Sequence, residues 1–206
     1  MTFDRYVMAL AFVMLAIGWA RAGDLKTRAW DFESDEPGRI GRGFTSAVGR
    51  WEVDRDGENR VMAQKASNPE RTFNVVFASG EEFRDLEIRV RLKAVAGEKD
   101  RGGGLVWRAR DRDNYYVARY NPLEDNLRVY KVENGRRTQL DHAEVPGDGR
   151  WHTLRITMRG REILGYFDDK KLLVAEDTTF PDAGRIGLWS KADARSYFDD
   201  LTVSGE

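Results

Sequence analysis

Alternation of apolar and polar residues constrains the fold of this chain more than any other feature of its sequence. The segment Gly102–Gly135 is the most informative stretch, because it divides into three apolar-rich runs separated by short polar turns. We predict that these runs are consecutive antiparallel β-strands, at Leu105–Arg110, Tyr115–Asn121 and Asn126–Glu133. The runs also carry more aromatic residues and arginines than a sandwich core needs. One face of their sheet is therefore a candidate working surface.

The same period of two recurs along the rest of the chain. In Leu86–Leu92 the apolar residues fall on one face and the charged residues on the other, and His152–Met158 and Gly184–Lys191 alternate in the same way. Ile163–Phe167 and Leu172–Ala175 are predicted to form a hairpin. About a dozen such strands, spaced roughly 8–15 residues apart, predict an all-β fold, an antiparallel β-sandwich.

The N-terminus follows a different pattern. Arg5 precedes the apolar run Tyr6–Trp19, and Ala20-Arg21-Ala22 then supplies a small–x–small cleavage pattern. These features predict a signal-peptide helix over residues 1–22, export to a periplasm or the extracellular space, and a single domain over residues 23–206. No membrane span is expected after cleavage. An uncleaved N-terminal anchor is the alternative.

Composition narrows the classes of function. The chain has 206 residues and no cysteine, which excludes a disulfide framework and a thiolate zinc site. Lysine and arginine number 34 against 35 aspartate and glutamate residues, with both signs interspersed, so the basic footprint of a nucleic-acid-binding protein is missing.

Seven motifs stand in order along the chain: WDFE, GRWEVDRDG, FRDLEIRVRL, the run from Gly102 to Gly135, GRWHTLRITMRG, GRIGLWSKADA and SYFDDLTV. This series resembles the concanavalin A-like lectin/glucanase superfamily. It is most similar to the 3-keto-disaccharide hydrolase domain family and to laminin-G-like jelly-roll domains. The resemblance implies two curved antiparallel sheets, a carbohydrate ligand on the concave face and, in some members, a structural calcium.

Catalytic signals are weak. Glucanases of this fold resemble one another in carrying Glu-x-Asp-x-Glu on one strand, and the comparable strand here has Glu87 followed by Arg89 and Arg91. Two guanidinium groups keep a neighbouring carboxylate ionised and cannot replace a nucleophile. The two histidines, His142 and His152, show neither triad nor zinc-ligand spacing, and His152 is expected to pack or cap its strand. Whether the chain is an enzyme is left open, with a 3-keto-glycoside hydrolase as the enzymatic alternative.

Strand parity, by which we mean the alternation of successive side chains between the two faces of a sheet, points to a ligand-binding face. In Gly184–Lys191 the residues Ile186 and Leu188 are predicted to face the core, which turns Trp189 and Lys191 to the opposite face. There the indole would form a platform for the apolar face of a sugar ring, with Lys191 free to bind hydroxyls. The alternative is that a loop covers Trp189.

Parity in Tyr115–Asn121 is ambiguous. We favour the arrangement in which Tyr116, Ala118 and Tyr120 face the core, because the opposite arrangement would bury Arg119 without a partner. In Leu105–Arg110 the apolar Leu105 and Trp107 take the core face, which leaves Arg108 on the open face.

The candidate ligand-binding residues are Arg108, Tyr115, Arg119, Asn121, Trp189 and Lys191. Their rings would stack, and their cations and amide would bind hydroxyls or the carboxylate of an acidic sugar. The structural alternative is that Arg119 forms a salt bridge with Glu124 or Asp199.

A calcium site is a further hypothesis. Tyr197–Asp200 interrupts the alternation, which predicts a β-bulge. Asp199 or Asp200 would then join Asp31 or Glu33 around the ion, since calcium prefers oxygen ligands. The alternative is that these carboxylates accept hydrogen bonds from nearby backbone amides.

These observations predict an exported, lectin-like domain that binds a glycan or related polyhydroxy ligand on its concave sheet. No nucleic-acid partner is expected. Two other functions stay open: a 3-keto-glycoside hydrolase, which needs a deep pocket with an acid–base pair, and a laminin-G-like adhesion or structural module, which needs a large exposed apolar patch.

Overall fold

A computed structural model describes residues 25–206, so the predicted signal peptide lies outside the described residues. Within that range no helix is long and apolar enough to cross a membrane. The described chain folds into fifteen β-strands, compared with about a dozen predicted. In order, these are β1 (Lys26–Trp30), β2 (Phe44–Val48), β3 (Trp51–Asp56), β4 (Asn59–Gln64), β5 (Phe73–Phe83), β6 (Leu86–Ala96), β7 (Gly103–Asp111), β8 (Asn114–Asn121), β9 (Asn126–Glu133), β10 (Arg136–Glu144), β11 (Trp151–Arg159), β12 (Glu162–Phe167), β13 (Lys170–Glu176), β14 (Gly184–Lys191) and β15 (Arg195–Gly205).

The strands form two antiparallel sheets. Sheet A has the order β13-β12-β11-β6-β15-β4-β3, with β1 also paired to β15, and sheet B has the order β10-β9-β8-β7-β14-β5-β2. Neighbours in the sheets are often distant in sequence: β15 pairs with β6 and also with β1, so the first and last described strands lie side by side in sheet A. The predicted antiparallel sandwich is confirmed.

The main core lies between the two sheets and follows from the alternation in the sequence. Leu86, Ile88 and Val90 of β6 are fully buried in the same cluster as Trp107 of sheet B. The indole Nε1 of Trp107 donates a hydrogen bond to the sulfur of Met158 across the sandwich, at 3.1 Å. Burial of apolar area of this kind stabilises the fold by about 25 cal/mol per Å².

The strands predicted in Gly102–Gly135 form consecutive members of sheet B. Tyr116 and Tyr120 join the main core, whereas Tyr115 belongs to a separate cluster on the other face of the sheet. Arg119 pairs across the strands with Arg128, so both side chains leave the same face of the sheet. The favoured parity of this strand is therefore confirmed, but our reason for it is wrong, because Arg119 is 1% exposed even on this face.

Arg108 departs from the predicted arrangement. The register of β7 against β8 shifts between Trp107 and Asp111, and Arg108 itself has a φ of 45°. A bulge of this kind changes the direction in which a side chain points. The regular register before the bulge places Arg119 opposite Gly104, four residues before Arg108, and the Arg108 guanidinium bonds Asp85 and Gly160, so our expectation that Arg108 shares the open face with Arg119 is wrong.

The bulge predicted in the last strand is present. The register of β15 against β6 shifts between Asp199 and Thr202, and Asp200 has a φ of 49°. After the shift, Leu201 and Val203 return to the main core. The closing strand thus keeps its apolar side chains buried on both sides of the irregularity.

Candidate functional site

The outer face of sheet B, which is turned away from sheet A, carries its own buried cluster. Its members all belong to sheet B; they are Val75, Phe77, Val106, Ala109, Tyr115, Val117, Tyr130, Val132 and Trp189, with Ala47 and Phe73 packed against them. An antiparallel sheet commonly presents a polar outer face to water. A buried apolar cluster on that face makes it the natural place to look for a binding site.

Three aromatic residues form the central layer of this face: Tyr115, Tyr130 and Trp189. The indole Nε1 of Trp189 donates a hydrogen bond to the hydroxyl of Tyr115 at 3.1 Å, so the polar atoms of two large buried side chains satisfy each other. Burial raises the pKa of Tyr115. The hydroxyl therefore stays protonated and acts as a hydrogen-bonding group rather than as a base.

The structure corrects one expectation about Trp189. Its side chain does project from the outer face, as parity predicts, but the residue is 0% exposed. Two side chains rather than a loop cover it: Phe73 packs with ring centroids 5.5 Å apart, and the guanidinium of Arg137 lies 6.0 Å from the indole centroid. Trp189 therefore supports the site from below and offers no open platform to a sugar.

A continuous chain of polar contacts runs along one end of this face. Lys191 Nζ bonds Asp100 Oδ2 at 3.0 Å, and Asn121 Nδ2 donates to Asp100 Oδ1 at 3.2 Å. The same amide nitrogen donates to Glu124 Oε1 at 3.3 Å, and Arg119 Nη2 donates to Glu124 Oε2 at 2.9 Å. Three predicted residues, Arg119, Asn121 and Lys191, are thus joined through two carboxylates.

Arg119 forms the salt bridge with Glu124 that the sequence offered as an alternative, but it is not thereby saturated. The residue is 1% exposed, and its Nε and Nη1 have no hydrogen-bond partner among residues 25–206. A buried donor left without a partner costs about 1–3 kcal/mol. Buried N–H donors without partners indicate a position where a ligand or an ordered water molecule accepts the missing hydrogen bonds.

Two further arginines, which were not among the predicted site residues, extend the site. Arg128 Nη2 lies 3.4 Å from Glu124 Oε2, and the Arg137 guanidinium stacks 4.2 Å above the Tyr130 centroid. Nε of Arg128 and Nη1 of Arg137 are also buried without partners among the described residues. The outer-face site thus comprises Asp100, Arg119, Asn121, Glu124, Arg128, Tyr130, Arg137 and Lys191.

A sequence signal for these residues exists. In β9 the positions of Arg128 and Tyr130 alternate with the core residues Leu127 and Val129, so they share the outer face. The two-residue turn Asn134-Gly135 then sets the hairpin register, which places Arg137 opposite Val132 on that face. The same parity argument that selected Arg119 applies to all three arginines.

Electrostatics at the site are dominated by the crowded cations. Burial lowers the pKa of Arg137, and the charge of Arg119 lowers it further. Burial would raise the pKa of Glu124, but the hydrogen bond and the charge of Arg119 outweigh it and hold that pKa below its usual value. Glu124 is therefore ionised and serves as the shared counter-charge of Arg119 and Arg128.

The site is open to solvent at its rim. The side chains of Glu124, Arg128 and Lys191 are 42%, 32% and 16% exposed, respectively. A cleft of about 350 Å³ adjoins this rim, lined by Glu124, Asp125, Glu144, Val145 and Pro146. Glu124 therefore belongs both to the polar contacts of the site and to the lining of this cleft.

Arg108, the remaining predicted residue, has a structural set of bonds away from this site. Its guanidinium donates to the carbonyl oxygens of Arg84, Phe180 and Gly160 and to the carboxylate of Asp85, at 2.6–3.0 Å. These bonds tie the end of β7 to three loops. A cleft of about 400 Å³ lies beside them.

The two aspartates considered for calcium do not form a metal site with other acidic residues. Oδ1 of Asp31 accepts a hydrogen bond from the backbone of Glu33, and Asp199 accepts from Asn59 and from the backbone of Asp200. Across residues 25–206, no group of three or more His, Cys, Asp or Glu side chains is placed to hold a metal ion. The backbone hydrogen bonds are those that the alternative interpretation predicted.

His152 lies outside the outer-face site. Its Nδ1 is 2.7 Å from Asp168 and its Nε2 is 2.8 Å from Asp148, and the ring stacks on Phe167 with centroids 4.6 Å apart. Both ring nitrogens are occupied and the residue is buried. The expected packing and capping role of His152 is confirmed.

Known proteins share this architecture. No protein-family profile matches the chain. A levanase from Bacillus subtilis (strain 168) is 28% identical over 165 residues, which are 78% of this chain and 22% of the levanase, so the chain spans about a fifth of that relative. The carbohydrate binding module CBM66 from Bacillus subtilis matches with a TM-score of 0.70 and 22% identity, covering 79% of this chain and 96% of that chain.

A third similar protein is the Crh5 transglycosylase in complex with NAG, with a TM-score of 0.61 and 13% identity over 87% of this chain and 83% of that chain. The narrower resemblance to the 3-keto-disaccharide hydrolase domain family stays a prediction. The shared architecture shows that the chain has the concanavalin A-like jelly-roll fold.

Proposed function

We propose that this chain is an exported, lectin-like module that binds a saccharide on the outer face of sheet B. One observation carries the proposal. Guanidinium donors that are buried without partners lie beside an aromatic layer. The site that contains them is exposed to solvent at Glu124, Arg128 and Lys191. Saccharide sites combine apolar surface with a few fixed polar groups in this way. The levanase and the carbohydrate binding module described above support a saccharide as the ligand.

The state of the carboxylates supports binding rather than hydrolysis. Within the described residues of the site, Asp100 is bonded to Lys191 and Glu124 to Arg119. The hydrogen bond and the charge of Arg119 hold the pKa of Glu124 below its usual value, so Glu124 is poorly suited to act as the general acid that glycoside hydrolysis requires. The enzymatic alternative has no comparable support.

The adhesion alternative also lacks support. In residues 25–206 the large hydrophobic side chains that are exposed are scattered singly; they are Leu25, Ile40, Val95, Leu123 and Val174. A protein-binding face of the laminin-G kind would require a contiguous apolar patch.

Titration calorimetry of the purified protein against a saccharide panel that includes levan tests this function. Binding of one panel member, weakened about tenfold or more by Lys191→Met, supports the proposal. The matched control is Lys93→Met, because Lys93 forms a similar lysine–aspartate pair, 2.9 Å from Asp56, on sheet A. Loss of binding in both variants, or no binding of any saccharide, would show that the outer-face site is not a saccharide site.

A further inference from the structure

The outer-face site carries more positive than negative charge. Its cations are Arg119, Arg128, Arg137 and Lys191, and its carboxylates are Asp100 and Glu124. Lys191 is balanced by Asp100, and Glu124 is shared between Arg119 and Arg128. The site therefore has an excess of two positive charges, concentrated at the arginines.

The hydrogen-bonding capacity of these arginines is also unfilled. Four nitrogen atoms of the three arginines are buried and find no hydrogen-bond partner among residues 25–206: Nε and Nη1 of Arg119, Nε of Arg128 and Nη1 of Arg137. Native structures leave few buried donors unbonded. Arg119 contributes two of these atoms and is 1% exposed, so its donors belong to the interior of the site and not to a solvated surface.

Arg137 is the most informative of the three. Its guanidinium is held against the rings of Tyr130, Phe73 and Trp189, at 4.2, 5.6 and 6.0 Å from their centroids. Contact with rings compensates part of the cost of burying the charge. No salt bridge joins Arg137 to a carboxylate in the described part of the chain, whereas Arg119 and Arg128 both reach Glu124.

These requirements are met by one chemical group. A carboxylate accepts two parallel hydrogen bonds from a guanidinium and neutralises its charge, whereas a sugar hydroxyl supplies only a neutral acceptor. The adjoining cleft is lined by Glu124, Asp125 and Glu144 and would repel an anion. The anionic group of a ligand is therefore expected near Arg128 and Arg137, with neutral sugar units towards the cleft.

We infer that the saccharide recognised at this site carries a carboxylate, as a uronic acid unit does, and that Arg137 and Arg128 bind that carboxylate. This inference rests on the proposed function, because it specifies which class of saccharide the same site takes.

Calorimetry with matched ligand pairs tests it. The probes are oligogalacturonate, oligoglucuronate and oligomannuronate, each beside its carboxyl-reduced neutral counterpart, together with levan and with acetate as a carboxylate that lacks a sugar. We expect one acidic oligosaccharide to bind about tenfold or more tightly than its reduced counterpart. Raising the salt concentration from about 0.05 to 0.5 M is expected to weaken that binding.

Variants assign the effect to the arginines. Arg137→Met and Arg128→Met each retain much of the apolar stem and are expected to weaken binding of the acidic ligand about tenfold, with little change for the neutral counterpart. Arg155→Met is the matched control, because Arg155 stacks 3.6 Å from the Tyr166 centroid on sheet A. Thermal unfolding of each variant confirms that it is folded before binding is compared.

The outcomes separate the two proposals. If levan or a reduced oligosaccharide binds as tightly as any acidic one, the inference is wrong and the saccharide-binding function stands. If acetate binds as tightly as the acidic oligosaccharide, the site recognises a carboxylate without any sugar, which also overturns the inference. If no saccharide of either kind binds, the proposed function fails.

Discussion

Arg137 of β10 lies above the ring of Tyr130 in β9, with its guanidinium carbon 4.2 Å from the ring centroid. Two opposing effects meet in this pair. The ring attracts the cation, by about 0.5–2 kcal/mol depending on desolvation. Burial of Nη1 without a partner and repulsion from Arg119 act in the other direction.

The balance of these effects predicts that Arg137→Met leaves the free energy of unfolding unchanged or raises it by up to about 1 kcal/mol. Methionine keeps contact with the rings and removes the buried charge. Urea unfolding measures the change. Arg155→Met, which removes a ring-stacked arginine that also has a salt bridge to Glu87, is expected to lose about 0.5–1 kcal/mol instead. A larger loss for Arg137→Met than for Arg155→Met would show that Arg137 is a stabilising residue.

Glu124→Gln is expected to destabilise the protein by about 1–2 kcal/mol, because it removes the shared counter-charge of Arg119 and Arg128. The partial exposure of Glu124 keeps the loss below that of a fully buried pair. Glu36→Gln is the control, since Glu36 and Arg39 are both 75% exposed and 3.9 Å apart, and its effect is expected to stay below about 0.5 kcal/mol. Equal midpoints of urea unfolding for the two variants would contradict this account of Glu124.

Trp189→Ala is expected to lower the free energy of unfolding by about 3–5 kcal/mol, because the indole is fully buried beneath Phe73 and Arg137. Trp189→Phe keeps an aromatic ring at this position but removes the indole N–H that donates to the Tyr115 hydroxyl, at a smaller cost of about 1–3 kcal/mol. Guanidinium chloride unfolding separates the two. Wild-type stability in Trp189→Ala, combined with lost saccharide binding, would instead identify the indole as a direct ligand contact.

Much of this architecture follows from the sequence because strand parity is a local property. Ile186, Leu188, Tyr116 and Tyr120 all face the core as alternation predicts, and the bulge near Asp199 is visible as a break in the pattern. Side chains in a strand must alternate between the two faces of the sheet, so a few apolar positions fix the direction of the others.

The rest of the fold and of the candidate site depends on contacts between distant residues, which strand parity does not predict. The bulge at Arg108 requires a φ of 45°, a left-handed backbone conformation that an arginine in the sequence does not predict. The cover over Trp189 comes from Phe73 and Arg137, on strands far away in the sequence. Whether an outward-facing aromatic is open or buried depends on which side chains the folded sheet brings over it, and that information is not local.

Arg108→Met is expected to separate stability from binding. The guanidinium is almost fully buried and donates to four oxygen atoms, including a carboxylate oxygen of Asp85, so its loss is expected to cost about 3–5 kcal/mol. Saccharide affinity of the folded variant is expected to match wild type. Arg110→Met is the neighbouring control, half exposed and 3.7 Å from Asp182, with an expected loss below about 1 kcal/mol. Weaker binding in a stably folded Arg108→Met protein would return Arg108 to the ligand site.

Acid is expected to destabilise the fold through carboxylates of sheet A and its loops. The pKa of Asp148 lies below its usual value, chiefly because the backbone N–H and the guanidinium of Arg150 donate to it, with a further bond from His152. A hydrogen bond from Lys93 lowers the pKa of Asp56, with Trp151 contributing. A carboxyl whose pKa is lower in the folded than in the unfolded state stabilises the fold above the unfolded pKa, which is about 3.9 for aspartate.

The sign of that linkage fixes the pH window. We expect stability to be constant with respect to these groups above about pH 5 and to fall as the pH decreases through about 4 towards the lower folded-state pKa values. Urea midpoints measured between about pH 7 and 3 test this. Asp148→Asn is expected to be less stable at pH 7 and to lose less on acidification, whereas Asp182→Asn, at a side chain 81% exposed, is expected to follow wild type. An unchanged acid slope in Asp148→Asn would mean that other carboxylates carry the dependence, because protonating Asp148 would then cost the folded state nothing.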